Sequence, residues 1–115
     1  MITKTQAGVY AAEINDCLKK CRELRYQHTK TSIVKTVEFL NHIHDNMQKM
    51  ACLENSSMQY SVKIKLDNRE YSYLDWMNEI VLPNYSNILS YLEIDCSIYG
   101  VSLYFDEKTM RVSVR

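Results

Sequence analysis

An α+β fold with an antiparallel sheet is predicted by three features of this sequence. Apolar residues recur at three- and four-residue spacing through the first half, which is the period of an amphipathic helix. Met58–Leu66 switches to strict alternation: Met58, Tyr60, Val62, Ile64 and Leu66 against Gln59, Ser61, Lys63 and Lys65. Successive strand side chains face opposite ways, so this stretch reads as a half-buried strand with one apolar and one basic face. A second alternating pair lies at the C-terminus. The expected order is α-α-β-(β)-α-β-β, with an N-terminal αα-hairpin followed by a sheet of three or four strands. Helices cover one face of that sheet, and the whole forms a single domain over 1–115.

The first helix is expected over about 4–27. Thr3 and Gln6 fit a capping box, in which two side chains satisfy free backbone groups at the helix start. Ala7, Tyr10, Ile14, Cys17, Cys21 and Leu24 then form one continuous stripe. Continuing that register meets His28, Lys35, His42 and Lys49, all polar. The apolar set instead restarts at Ile33, Val37, Leu40, Ile43, Met47 and Met50. Thr29, Thr31 and Ser32 occupy the slip and favour a turn. A second helix over about 32–53 is therefore expected to fold back on the first. One kinked helix is the alternative.

Glu54–Ser57 reads as a polar loop into the central strand, and Asp67-Asn68 as a tight turn. A brief strand from Arg69 to Tyr71 follows, then a helix capped by Ser72 with Asp75 three residues on. Tyr73, Trp76, Met77, Ile80 and Val81 give that helix a broad apolar face. Pro83 lacks an amide hydrogen, so a broken helix of about 73–82 and 84–92 is expected. Ile94, Cys96 and Ile98 alternate like a strand, with Gly100 at a change of phase. Val101, Leu103 and Phe105, the turn Asp106–Thr109, and Met110, Val112 and Val114 form a hairpin.

Composition removes several function classes. The 115 residues balance 14 basic against 14 acidic side chains, so no global field attracts nucleic acid or anionic membrane. The halves differ, with ten basic and six acidic residues over 1–66 and four and eight over 67–115. Two glycines, at positions 8 and 100, cannot write a phosphate-binding loop. No run approaches the ~20 apolar residues of a membrane span, and the N-terminus lacks a signal-peptide core. A cytoplasmic location with Cys17, Cys21, Cys52 and Cys96 reduced is the expectation. Asn55-Ser56-Ser57 and Asn84-Tyr85-Ser86 are then chance glycosylation matches.

Each chemical constellation has a plainer reading. Cys17 and Cys21 lie one turn apart but within the apolar stripe, where cysteine packs as a small hydrophobe. His42 and His44 point about 200° apart on a helix and cannot share one ion. No metal or cofactor is expected. Asp75 and Glu79 share a helical side, which suits a paired-carboxylate site but equally a solvated face. Lys63 and Lys65 project from the first strand, Arg111 and Arg115 from the last. If those strands were neighbours, four cations with Tyr71 or Tyr104 would hold phosphate and stack bases. The plainer reading is a solvated face that discourages edge pairing. Lys19, Lys20, Arg22 and Arg25 form a second basic cluster.

The leading expectation is a small non-enzymatic module that binds a protein partner, of the inhibitor or immunity type that a phage or mobile element encodes. Nine Tyr and six Met supply interface-prone side chains, and a homodimer is the companion possibility. The alternatives are a nucleic-acid-binding regulator using Lys63, Lys65, Arg111 and Arg115, and a small enzyme using Asp75, Glu79 and a histidine.

Overall fold

The computed structural model describes residues 2–51 and 62–115. The expected strand residues Met58–Ser61, the loop Glu54–Ser57 and Cys52 lie outside the described residues. Two long helices open the chain: α1, Lys4–Leu24, and α2, Lys30–Met50. The capping box at Thr3 is present, with Gln6 N–H donating to Thr3 Oγ1 at 3.1 Å and Thr3 N–H to Gln6 Oε1 at 2.9 Å. Thr29 and Ser32 form the same reciprocal pair at the start of α2. Satisfying these amides stabilises a helix start by about 1 kcal/mol. Between the helices His28 takes φ 49°, the left-handed conformation that reverses the chain. Tyr99 Oη donates to its carbonyl and holds the reversal.

The two helices pack along the stripes expected from their sequences. Ala7, Ile14, Cys17 and Cys21 meet Ile33, Val37, Leu40 and Ile43 in one buried cluster. Two hairpins attach to this helical pair. The first joins β1, Lys63–Leu66, to β2, Arg69–Ser72, through Asp67 and Asn68 at φ 50° and 65°. Two consecutive left-handed residues make the tight reversal whose twist matches paired strands. The second joins β3, Leu103–Asp106, to β4, Arg111–Val114.

Each hairpin is its own two-stranded antiparallel sheet, so among the described residues two sheets stand in place of the expected single sheet of three or four strands. The α+β class and the element order stand. The division has a physical cause: β1 rests on α1, whereas β4 rests on α2. Val112 N–H donates to Asn41 Oδ1 at 2.8 Å, and Asn41 Nδ2 donates to Val112 O at 2.9 Å. Ser102 and Arg115 exchange bonds of 3.0 Å across the hairpin. Alternation along the ladder therefore turns the backbone groups of Val112 away from β3. The amide of Asn41 meets them as a peptide of a neighbouring strand would.

Ser72 caps α3, Tyr73–Trp76, by accepting from Asp75 N–H at 3.2 Å. The helix then widens into a single π turn, Met77–Val81, and continues as α4, Leu82–Tyr99. The expected break at Pro83 does not occur. Pro83 sits in the first turn of α4, directly after the wide turn, where its missing N–H is tolerated. Asn84 Nδ2 donates to Ile80 O at 2.6 Å and satisfies a carbonyl beside the irregularity. The alternation noted at Ile94, Cys96 and Ile98 lies within α4, which runs past the expected end near residue 92 and buries only Cys96 of the three. Gly100, at φ 66°, ends α4 in the left-handed region. Val101 N–H returns to Cys96 O at 2.9 Å, so the change of phase at Gly100 is a helix terminus instead of a bulge.

Trp76 joins the parts. It is fully buried, and its Nε1–H donates to Asn15 Oδ1 on α1 at 2.8 Å. Tyr73 lies beside it with ring centroids 6.3 Å apart. Among the described residues no helix is long and apolar enough to cross a membrane.

Two stability changes follow. Asn41→Ala strands both backbone groups of Val112 and should lower the unfolding free energy by about 1–3 kcal/mol, read as an earlier urea midpoint. Met110 precedes β4 at φ 59° and is exposed. Met110→Gly should raise stability by about 0.5–1 kcal/mol, because a Cβ in this region costs more than glycine's extra freedom.

Candidate binding surface

The six residues singled out on the strand faces fall into two groups. Lys63 and Lys65 are exposed on β1, and Lys65 sits opposite Glu70 of β2. Tyr71 sits opposite Ile64, so it shares the core-facing side and not the lysine side. Arg69 stacks over Tyr71 at 4.6 Å. On the other hairpin, Arg111 pairs with Asp45 of α2 at 2.9 Å, and Arg115 lies 5.0 Å from the Tyr104 ring. The strands carrying the lysines and the arginines belong to separate sheets, so the four cations share no sheet face.

The titratable constellations are also separated. Asp75 and Glu79 are exposed, and Glu79 faces Arg69 at 4.0 Å. Asp75 lies on α3 and Glu79 within the π turn, and both carboxylates face solvent. His42 lies 3.4 Å from Glu13, which also accepts from Asn46 at 3.0 Å, on an open part of the surface. Among the described residues no group of three or more His, Cys, Asp or Glu is placed to hold a metal ion. Cys17, Cys21 and Cys96 are buried free thiols. Burial, then the neighbouring Cys17, pushes the Cys21 thiol up to about 12. Burial also raises Cys17 and Cys96. A thiol held protonated is a poor nucleophile.

A different surface emerges along α4. Helical periodicity buries Ile88, Leu92 and Cys96, and turns Tyr91, Ile94 and Ile98 outward. These three are 39%, 54% and 69% exposed. Their spacing of three and four places them in one line about 10 Å long. Apolar side chains so arranged on a helix normally face a core. Here the protein is a slab with Cα extents of 46 × 33 × 18 Å, so one layer of helices covers only the inner face.

The line leads into a groove of about 90 Å³ between α1 and α4, with Thr36 of α2 also in its wall. Cys21, Ile88 and Leu92 form its apolar floor. Arg22, Arg25, Asn84, Asn87 and Tyr91 supply polar and aromatic edges. The Arg25 guanidinium lies 3.5 Å from the Tyr91 ring centroid and 5.5 Å from that of Tyr26. On the other side of α4 a second, mostly apolar hollow of about 280 Å³ is lined by Leu89, Glu93, Leu103, Phe105 and Val112. The basic cluster Lys19–Arg25 was visible in sequence, but its meeting with Tyr91 was not, because α4 brings that ring from far along the chain.

Comparison of the chain with family models, curated proteins and solved structures found no match.

The raised Cys21 value carries a pH dependence. The folded state holds the thiol proton to higher pH than the unfolded state, whose thiol loses it near 9. The folded state therefore binds more protons across that window, and stability should fall as pH rises from about 9 towards 12. Iodoacetamide at pH 8 should label the Cys21 peptide only after denaturant is added, as read by mass mapping.

Proposed function

We propose that this chain is a small cytosolic, non-enzymatic module that binds a protein partner, of the inhibitor or immunity type. The observation that supports this reading is the exposed line Tyr91, Ile94 and Ile98 on α4, continuous with the groove at Arg25. Isolated exposed apolar residues are ordinary, but a line of three beside an apolar-floored groove is the composition of an interface centre. The helix that carries them is already formed and ends at Gly100, so binding would order little backbone. The scattered cations give weaker support to the nucleic-acid reading, and the solvent-facing carboxylates give weaker support to the enzyme reading.

The test is a native capture from the source cell at low and high salt, with and without nuclease, using the wild type and Ile94→Ser/Ile98→Ser. A partner protein should remain through high salt and nuclease, and its recovery should drop about tenfold with the double variant. Recovery only at low salt, abolished by nuclease, would favour nucleic acid. Light scattering on the purified chain identifies the case in which the partner is a second copy.

A further inference from the structure

Arg22 and Arg25 edge one groove, whereas the three Lys and Arg that have a carboxylate partner lie elsewhere. Lys20 faces Asp16, Arg69 faces Glu79 and Arg111 faces Asp45. Among the described residues neither Arg22 nor Arg25 has a carboxylate within ion-pair distance. Nor does any acidic residue line the groove that they edge. Of the acids on α4, Glu93 lines the hollow on the other side and Asp95 is turned to His28 at 3.4 Å.

The two guanidiniums have complementary roles. Arg25 is half-buried and stacked on Tyr91, which holds the plane of its fork. Stacking occupies the face of a guanidinium and leaves its N–H edge available for a bidentate acceptor. Arg22, one helical turn before Arg25 on the same side of α1, is exposed. The amides of Asn84 and Asn87 edge the same space from α4. Its volume of about 90 Å³ falls well below the ~300 Å³ at which small-molecule sites begin. It has room for one small group, and the remainder of any larger ligand must lie outside. The direction open to it along α4 is the line Tyr91, Ile94 and Ile98.

We infer that this groove is a carboxylate-recognition site for an acidic, aliphatic segment of a protein partner. Arg22 and Arg25 take an Asp or Glu side chain of that segment, and Ile94 and Ile98 take apolar residues beside it. The inference rests on the protein-binding reading and names the chemistry of the partner. Charge complementarity carries it, since the groove presents two unopposed cations. A nucleic acid strand would meet two aliphatic side chains where it needs further cations or rings, and a formal net charge of zero adds no attraction at a distance.

The test is selection of a random peptide library on the purified full chain, repeated on Arg22→Gln/Arg25→Gln and on Ile94→Ser/Ile98→Ser. All four side chains are at least partly exposed, and a thermal melt of each variant checks that the fold is kept. Peptides enriched on the wild type should carry Asp or Glu with aliphatic residues three or four positions away. Their affinity should fall about tenfold or more with either double variant, and Arg25→Lys should lie between wild type and the Gln variant, because it keeps charge without the planar fork. Enriched peptides without an acidic residue, or binding unchanged by Arg22→Gln/Arg25→Gln, would overturn the carboxylate site while leaving the module reading intact. A library that yields no binder would count against both. Anisotropy with a labelled single-stranded oligonucleotide covers the remaining class: binding that disappears in the Arg variant would reassign the groove to phosphate and overturn the inference.

Discussion

The bond from the buried Trp76 Nε1 to Asn15 Oδ1 ties the second half of the chain to the first. A tryptophan contributes the largest apolar area of any side chain, but full burial requires a partner for its N–H. Asn15 supplies it from α1, next to the stripe that α1 shares with α2. The chain on either side of Trp76 is thereby placed: β1 and β2 lie before it, and α4 runs on from the π turn after it. The Arg25–Tyr91 stack and the groove beneath it depend on that placement, because their residues come from α1 and α4 and from no shared local element.

Among the described residues the strands form two small hairpins, not one sheet, and the second, β3–β4, meets its free edge locally. At Val112 the solution is a side chain. Asn41 supplies one donor and one acceptor, which is what an adjacent strand residue would offer. At the turn before β4, Asp106 Oδ1 accepts from the Lys108 and Thr109 amides, and these bonds hold its carboxyl below the usual range. The second hairpin is therefore held by polar contacts at particular atoms as well as by Val112 in the core, whereas the first is anchored by Ile64 and the preceding Val62 in that same core.

Much of this was legible in the sequence where residue chemistry and position agreed. The caps at Thr3 and Ser72, the stripes of α1 and α2 and the reversal at Asp67-Asn68 all followed from local rules. Local rules failed at Ile94–Ile98, and the reason is instructive. A buried Cys96 between two exposed isoleucines produces a period of two within a helix, because Ile94 and Ile98 share one side and Cys96 faces the other. The rule that apolar means buried converts that pattern into a strand. The same exposed isoleucines make the candidate surface, so the misreading and the functional feature have one origin. Which strands would pair was not legible either, since β1 and β4 are directed to different helices by tertiary contacts.

The π turn at Met77–Val81 has a consequence for how the chain length itself is constrained. A π turn holds one residue more than an α turn and absorbs it as a local widening, so the helix beyond keeps its phase. Loss of one residue there would close the turn to ordinary α geometry and leave Leu92 and Cys96 buried where they are. Loss of a second residue has no wide turn left to absorb it, and would move each position of α4 into the place of its predecessor, about 100° round the helix. Glu93 would then arrive where Leu92 is buried, and Leu92 would take the place of Tyr91 beneath Arg25. The wide turn is thus slack in the chain, enough for one residue and no more.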